Sequence, residues 1–116
     1  MPVHETDLAY NRHAHYFCNH LINHGVITDT LLGGLTTVAG LIAAIKAVAN
    51  VPFQVENLVR NAETCLNNAK NVGAITDAQV NTVGAGGGGT RIAALRAIFT
   101  GNDASLGATD AYTFAF

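Results

Sequence analysis

Charge is what this sequence has least of. Only 12% of its 116 residues are Asp, Glu, Lys or Arg, about half the usual fraction. A small protein that stays alone in water normally carries more. Hydrophobic residues make up 49% of the chain, which excludes a disordered polymer and leaves enough apolar material for one core. Apolar surface beyond that core needs a partner, so an oligomer or larger assembly is expected.

Positive charge is scarcer still. Arg12, Lys46, Arg60, Lys70, Arg91 and Arg96 are the only Lys and Arg residues, they are scattered, and the formal net charge is −2. No basic stripe exists to neutralise a run of phosphates, which excludes specific nucleic-acid binding as the main task. The opening Met1-Pro2-Val3-His4-Glu5 lacks a basic segment followed by an apolar one, so no secretory signal is expected there. Cys18 and Cys65 have no Cys-x-x-Cys spacing and are expected to be reduced, buried thiols.

What the chain does have is a repeated phrase. Asn23-His24-Gly25-Val26-Ile27-Thr28-Asp29 returns 48 positions later as Asn71-Val72-Gly73-Ala74-Ile75-Thr76-Asp77. Gly suits the left-handed residue that ends a helix, because it has no Cβ to clash. Thr suits the cap of the next helix, and the Ile before it can staple back onto that helix. Each phrase therefore reads as a corner between two helices. Arg12, Ala14 and Asn19 match Arg60, Ala62 and Asn67 at the same offset. The alternative to duplication is that the same tight corner arose twice.

The expected fold is all-α: a bundle of two antiparallel helical hairpins, with possible internal duplication, a short fifth helix and an extended C-terminal arm. The helical domain is expected over 1–100 and the arm over 101–116. In the first helix, Asp7 to His24, Tyr10, Ala14, Phe17, Cys18 and Leu21 form one apolar stripe. The second would run from about Asp29 to Ala49, apolar nearly all round. Its uncharged run is 16 residues, short of the roughly 20 needed to span a bilayer. Ala39, Ala43 and Ala47 recur every fourth residue, a stripe that lets another helix approach closely, within the subunit or between subunits. The third helix, Phe53 to Asn71, carries the cleanest amphipathic pattern, and a fourth opens at Thr76. Gly84-Ala85-Gly86-Gly87-Gly88-Gly89 then breaks the chain before a short helix from Thr90 to about Phe99. At the end Tyr112, Phe114 and Phe116 alternate with Ala111, Thr113 and Ala115, which is strand periodicity. Such an arm can fold back on its own bundle or fill a groove on a neighbour.

Little in the chain promises chemistry. His20 and His24, four apart on one helical face, are the candidate metal ligands. His13 is too far along the helix to join them, and no His-Glu-x-x-His pattern occurs. Gly84, Gly86 and Gly89 satisfy Gly-x-Gly-x-x-Gly, but a helix precedes them where a dinucleotide site needs a strand. A phosphate resting on the amides that open the last helix, near Arg91, is a remaining option. Ser105 is the only serine and falls in the tail. The acids sit at caps and exposed positions, with no pair set up for acid–base work. No enzyme activity, catalytic residue or cofactor is expected.

The resulting expectation is a non-catalytic, self-assembling structural subunit of a virus or bacteriophage particle (capsid, neck or internal protein), assembled in the host cytoplasm. Its partners would be itself and other subunits, meeting through Ala39, Ala43, Ala47, Tyr112, Phe114 and Phe116. The alternatives are a membrane-associated helical protein and a small metal-binding module.

Overall fold

The computed structural model describes residues 8–103 together with Ser105 and Leu106. These form α1 (Leu8–Asn23), α2 (Asp29–Leu32), α3 (Val38–Lys46), α4 (Phe53–Asn71), α5 (Asp77–Gly84) and α6 (Arg91–Asn102). The all-α expectation holds for the described residues, which contain no strand. The alternating segment 111–116 lies outside them.

The two helix ends at the corners are closed by the same pattern of backbone bonds. After α1, Val26 N–H donates to Leu21 O at 2.8 Å and Gly25 N–H to Ile22 O at 3.0 Å, with Gly25 at φ +76°. After α4, Ala74 N–H donates to Ala69 O at 2.8 Å and Gly73 N–H to Lys70 O at 3.0 Å, with Gly73 at φ +79°. Both are Schellman closures, which satisfy carbonyls that the helix end leaves open. Val26, Ile27, Ala74 and Ile75 follow these glycines and are all buried. Thr28 Oγ1 then accepts from Leu31 N–H at 3.1 Å, and Thr76 Oγ1 from Gln79 N–H at 3.2 Å. Only the second corner completes a capping box, because position 79 is Gln, whose Oε1 accepts from Thr76 N–H at 2.9 Å.

The single helix expected over Asp29–Ala49 is two. α2 stops after one turn, where Gly33 is extended and Gly34 turns left-handed at φ +79°. Thr37 then caps α3, its Oγ1 accepting from Gly40 N–H at 2.9 Å. Unbroken hydropathy concealed a break made by two glycines and a cap. At the other end of the chain, α6 runs past the expected end of the helical domain to Asn102.

Packing runs crosswise. α1 packs along α4; α6 lies on α1, and α3 lies on α4. α2 contacts α3 and α6, and α5 contacts the same two helices. Exchanging α1 with α4, α2 with α5 and α3 with α6 leaves these pairings unchanged. α3 and α6 thus each have their main partner, α4 and α1, in the other half of the chain, in place of two self-contained hairpins. The core is formed by Ala14, Phe17, Cys18 and Leu21 of α1, Ala62, Leu66 and Ala69 of α4, and Leu41, Ile45, Leu95 and Phe99 of α3 and α6. Each fully buried Leu, Ile or Phe contributes about 1.5–3 kcal/mol.

Two carboxylates fasten the exchange. Asp29, at the first corner, accepts from Arg91 N–H at 3.0 Å and so caps α6. Asp77, at the second corner, accepts from Val38 N–H at 2.9 Å and so caps α3. Acidic groups are favoured at both places by the free N–H groups and the positive end of the helix dipole. The chain also closes on itself at Gly84, whose carbonyl accepts from Gly34 N–H at 2.9 Å. A Cβ at Gly84 would lie 2.0 Å from Leu35 O and 2.5 Å from Leu35 N, so only glycine fits there.

Candidate interaction surface

The crosswise packing creates two equivalent seams, α1–α6 and α3–α4, with opposite character. The α1–α6 seam is filled. Asn11 and His15 are fully buried and Asn19 nearly so. The amide of Asn19 joins two of the partners: its Oδ1 accepts from Arg96 Nε at 2.9 Å, and its Nδ2 lies 3.2 Å from His15 Nε2. With Oδ1 turned to Arg96, the amide N–H donates to the ring, which sets His15 Nε2 as an acceptor. The Phe99 ring lies 5.6 Å from the His15 ring, centroid to centroid. Asn11 Nδ2 donates to Phe99 O at 3.0 Å, and Asn102 Nδ2 donates to Asn11 Oδ1 at 3.2 Å and to Ala74 O. At the rim Arg12 pairs with Asp103 at 2.8 Å. The Ser105 hydroxyl, and then Arg12, hold the Asp103 carboxyl below its usual range. His15, one of the histidines of α1, is therefore a core element.

The α3–α4 seam is open. Relative to α1, α4 has Glu63 in place of His15 and keeps an asparagine, Asn67, at the position of Asn19 at the 48-residue offset. Aligning the caps Thr37 and Thr90, α3 has Ala43 where α6 has Arg96, and Lys46 where α6 has Phe99. The large side chains that seal the first seam are missing from the second. What remains is a hollow of about 500 Å³ lined by Ala39, Ile42, Ala43, Lys46, Ala47, Glu63 and Asn67. A second hollow of about 480 Å³ adjoins it at Lys46, between Val48, Val51, Glu56, Val59 and Arg60. Ala39, Ala43 and Ala47, singled out in the sequence as a small stripe, are all exposed along this groove. Lys46 and Glu63 pair across it at 3.3 Å, a bond of modest strength because both ends are wet.

The other sequence candidates are placed as follows. His20 is half-buried with its ring edge-on to Tyr16 at 4.4 Å, and His24 is exposed at the helix end. No third His, Cys, Asp or Glu joins them to form a metal-holding group among the described residues. The amides opening α6, read as a resting place for phosphate, are taken by the protein's own anion. Asp29 accepts from Gly89 and Arg91 N–H groups, and Arg91 Nη1 also reaches Asp29 Oδ2 at 3.1 Å. Those backbone donors, more than the guanidinium, hold the Asp29 carboxyl below its ordinary range. Cys18 and Cys65 are free thiols. Burial pushes Cys18 up to about 12 and Cys65 up to about 11, which makes both poor nucleophiles at neutral pH. No helix among the described residues is long and apolar enough to cross a membrane. Tyr112, Phe114 and Phe116 lie outside the described residues. The groove itself was not visible in the sequence; its only signal was the pair of substitutions, Ala for Arg and Lys for Phe, between α3 and α6. Comparison with family models, curated proteins and solved structures finds no match to this chain.

Proposed function

We propose that this chain is a non-catalytic structural subunit that assembles with copies of itself, and that the assembly is part of a virus or bacteriophage particle formed in the host cytoplasm. The observation that carries the assembly reading is the open α3–α4 seam, with Ala39, Ala43 and Ala47 exposed along it. Its counterpart within the same subunit is filled by Arg96 and Phe99, so an empty, small-residue groove is a place for a partner. Phe53, 77% exposed at the start of α4, adds apolar surface on a chain with few charges to keep it wet. The virion assignment rests on the composition: little charge, small-residue helix faces, a glycine-rich connection and an aromatic end.

The two halves are proposed to descend from one duplicated unit that first paired as a dimer. Support comes from the matched Schellman corners and from the reciprocal caps, Asp29 on α6 and Asp77 on α3. Electron microscopy of the concentrated, purified chain tests the proposal. Regular rings, shells or filaments are expected; a field without any repeating particle, across salt and pH, overturns it.

A further inference from the structure

We infer that the α1–α6 seam is a proton-operated latch: in mildly acidic solution, uptake of a proton by His15 releases the second half of α6, around Phe99, from α1. The inference concerns the filled seam and does not depend on the assembly reading above.

The geometry around His15 suits only the neutral ring. The side chain is fully buried. Its Nε2 lies 3.2 Å from Asn19 Nδ2, and Asn19 Oδ1 accepts from Arg96 Nε at 2.9 Å. A guanidinium can only donate and does not give up its proton. That fixes the amide orientation, so Nε2 has to accept. A proton on Nε2 sets one N–H against another. Turning the amide over repairs that contact and breaks the next, because Nδ2 then faces the guanidinium. No orientation of Asn19 serves both an imidazolium and Arg96. Placing a second positive charge in this buried layer, one amide away from the first, is costly as well.

Among the described residues, the other groups around the seam do not offset that charge. Arg96 of α6 has the same sign. Arg12 of α1 and Asp103, just after α6, are paired with each other at 2.8 Å. The Asp103 carboxyl is held below its ordinary range, so this pair stays ionised wherever imidazole titrates. Cys18 of α1 keeps its proton. α4, on the other side of α1, contributes Ala62, Leu66 and Ala69 to the shared core, none of which titrates. The start of α6 is held separately, by Asp29 on Arg91. The stretch that relies on the Asn11–His15–Asn19 layer carries Arg96, Phe99 and Asn102. Its release bares the Phe99 ring, which is fully buried in the closed subunit. The open chain takes up the proton near the ordinary imidazole value of about 6.5, and the closed seam resists it. Closure is therefore complete above about pH 6.5 and is lost as pH falls, with the open-to-closed ratio rising by up to about tenfold per pH unit.

Hydrogen exchange of the full-length chain, read by mass spectrometry over Arg96–Asn102 and corrected for the intrinsic rate, tests the latch. Between pH 7 and pH 5 the protection of this stretch should fall at least tenfold in the native chain. In His15→Gln, whose amide oxygen still accepts from Asn19 but cannot titrate, protection should stay level. In Asn19→Asp a carboxylate stands between the imidazolium and Arg96, and protection should hold or rise as pH falls. A native chain whose protection is unchanged down to pH 5 overturns the inference, as does an equal loss in the native and His15→Gln chains. If neither variant folds, the imidazole nitrogen NMR shifts of the native chain decide. His15 is expected to keep an unprotonated Nε2 while the seam is closed. A ring that takes its proton near pH 6.5 with α6 still protected overturns the latch.

Discussion

Gly84→Ala is the sharpest single perturbation of this fold. The added Cβ would sit 2.0 Å from Leu35 O, 2.5 Å from Leu35 N and 2.8 Å from Leu35 C. All three are backbone atoms, so no rotamer change relieves the contact; the α2–α3 connection has to move away by about 1 Å or more. That movement pulls on the 2.9 Å bond from Gly34 N–H to Gly84 O. Overpacking of this kind costs about 1–3 kcal/mol, and a lost buried hydrogen bond about 1 kcal/mol more. The gain from replacing a helical Gly by Ala returns about 0.5–1 kcal/mol. The net loss expected is about 2–3 kcal/mol, out of a total stability of about 5–15 kcal/mol. For a chain of this size it lowers Tm by roughly 8–15 °C. Gly88→Ala is the control, since a Cβ there meets nothing within 4 Å; a change below about 0.5 kcal/mol is expected. Urea denaturation followed by circular dichroism measures both. A Gly84→Ala protein as stable as the native one would refute the close backbone contact and with it the crosswise placement of α2 and α5.

Other consequences follow from the seams and caps. Asn19→Ala removes the amide between His15 and Arg96 and should destabilise by about 1–3 kcal/mol, again read from urea unfolding; a neutral result would mean the α1–α6 seam is not held by this residue. Asp29 and Asp103 both have carboxyls held below the ordinary 3.8. The unfolded chain therefore binds more protons in that range, and stability present above about pH 4 is lost as pH falls below 3.8 toward the folded values. Urea midpoints between pH 5 and about 2 should fall steeply in the native protein and less in Asp29→Asn/Asp103→Asn; equal slopes would contradict the assignment. Cys18 and Cys65 should resist iodoacetamide at pH 8 while folded, because burial holds both thiols protonated, and react at once in denaturant. Removing 111–116 should weaken association while leaving helix content unchanged. Lost helical circular dichroism in that variant would instead make the segment part of the subunit's own core.

How much of this was legible beforehand depended on the range of the interactions. Gly25, Thr28, Gly73 and Thr76 were readable as corners because a Schellman glycine and a threonine cap act within a few residues. The split of Asp29–Ala49 was written in Gly33, Gly34 and Thr37, but an unbroken apolar run outweighed them in a reading based on periodicity. The burial of Asn11, His15 and Asn19 had no local signal, because their partners, Phe99, Asn102 and Arg96, are brought in from 77 to 91 residues away. Ala39, Ala43 and Ala47 were visible as a stripe. That they border an open groove follows only from α3 lying on α4, which places Glu63 and Asn67 opposite them. Asp29 read only as one of the acids at caps and exposed positions, and its role on α6 is a tertiary contact that no local pattern encodes.

The central claim is that this subunit completes itself by assembling, and its mass in solution tests that most directly. Light scattering across a concentration series should give masses at integer multiples of the 12.1 kDa chain, rising to a defined limit. A mass of one chain at every concentration up to the millimolar range would contradict the account.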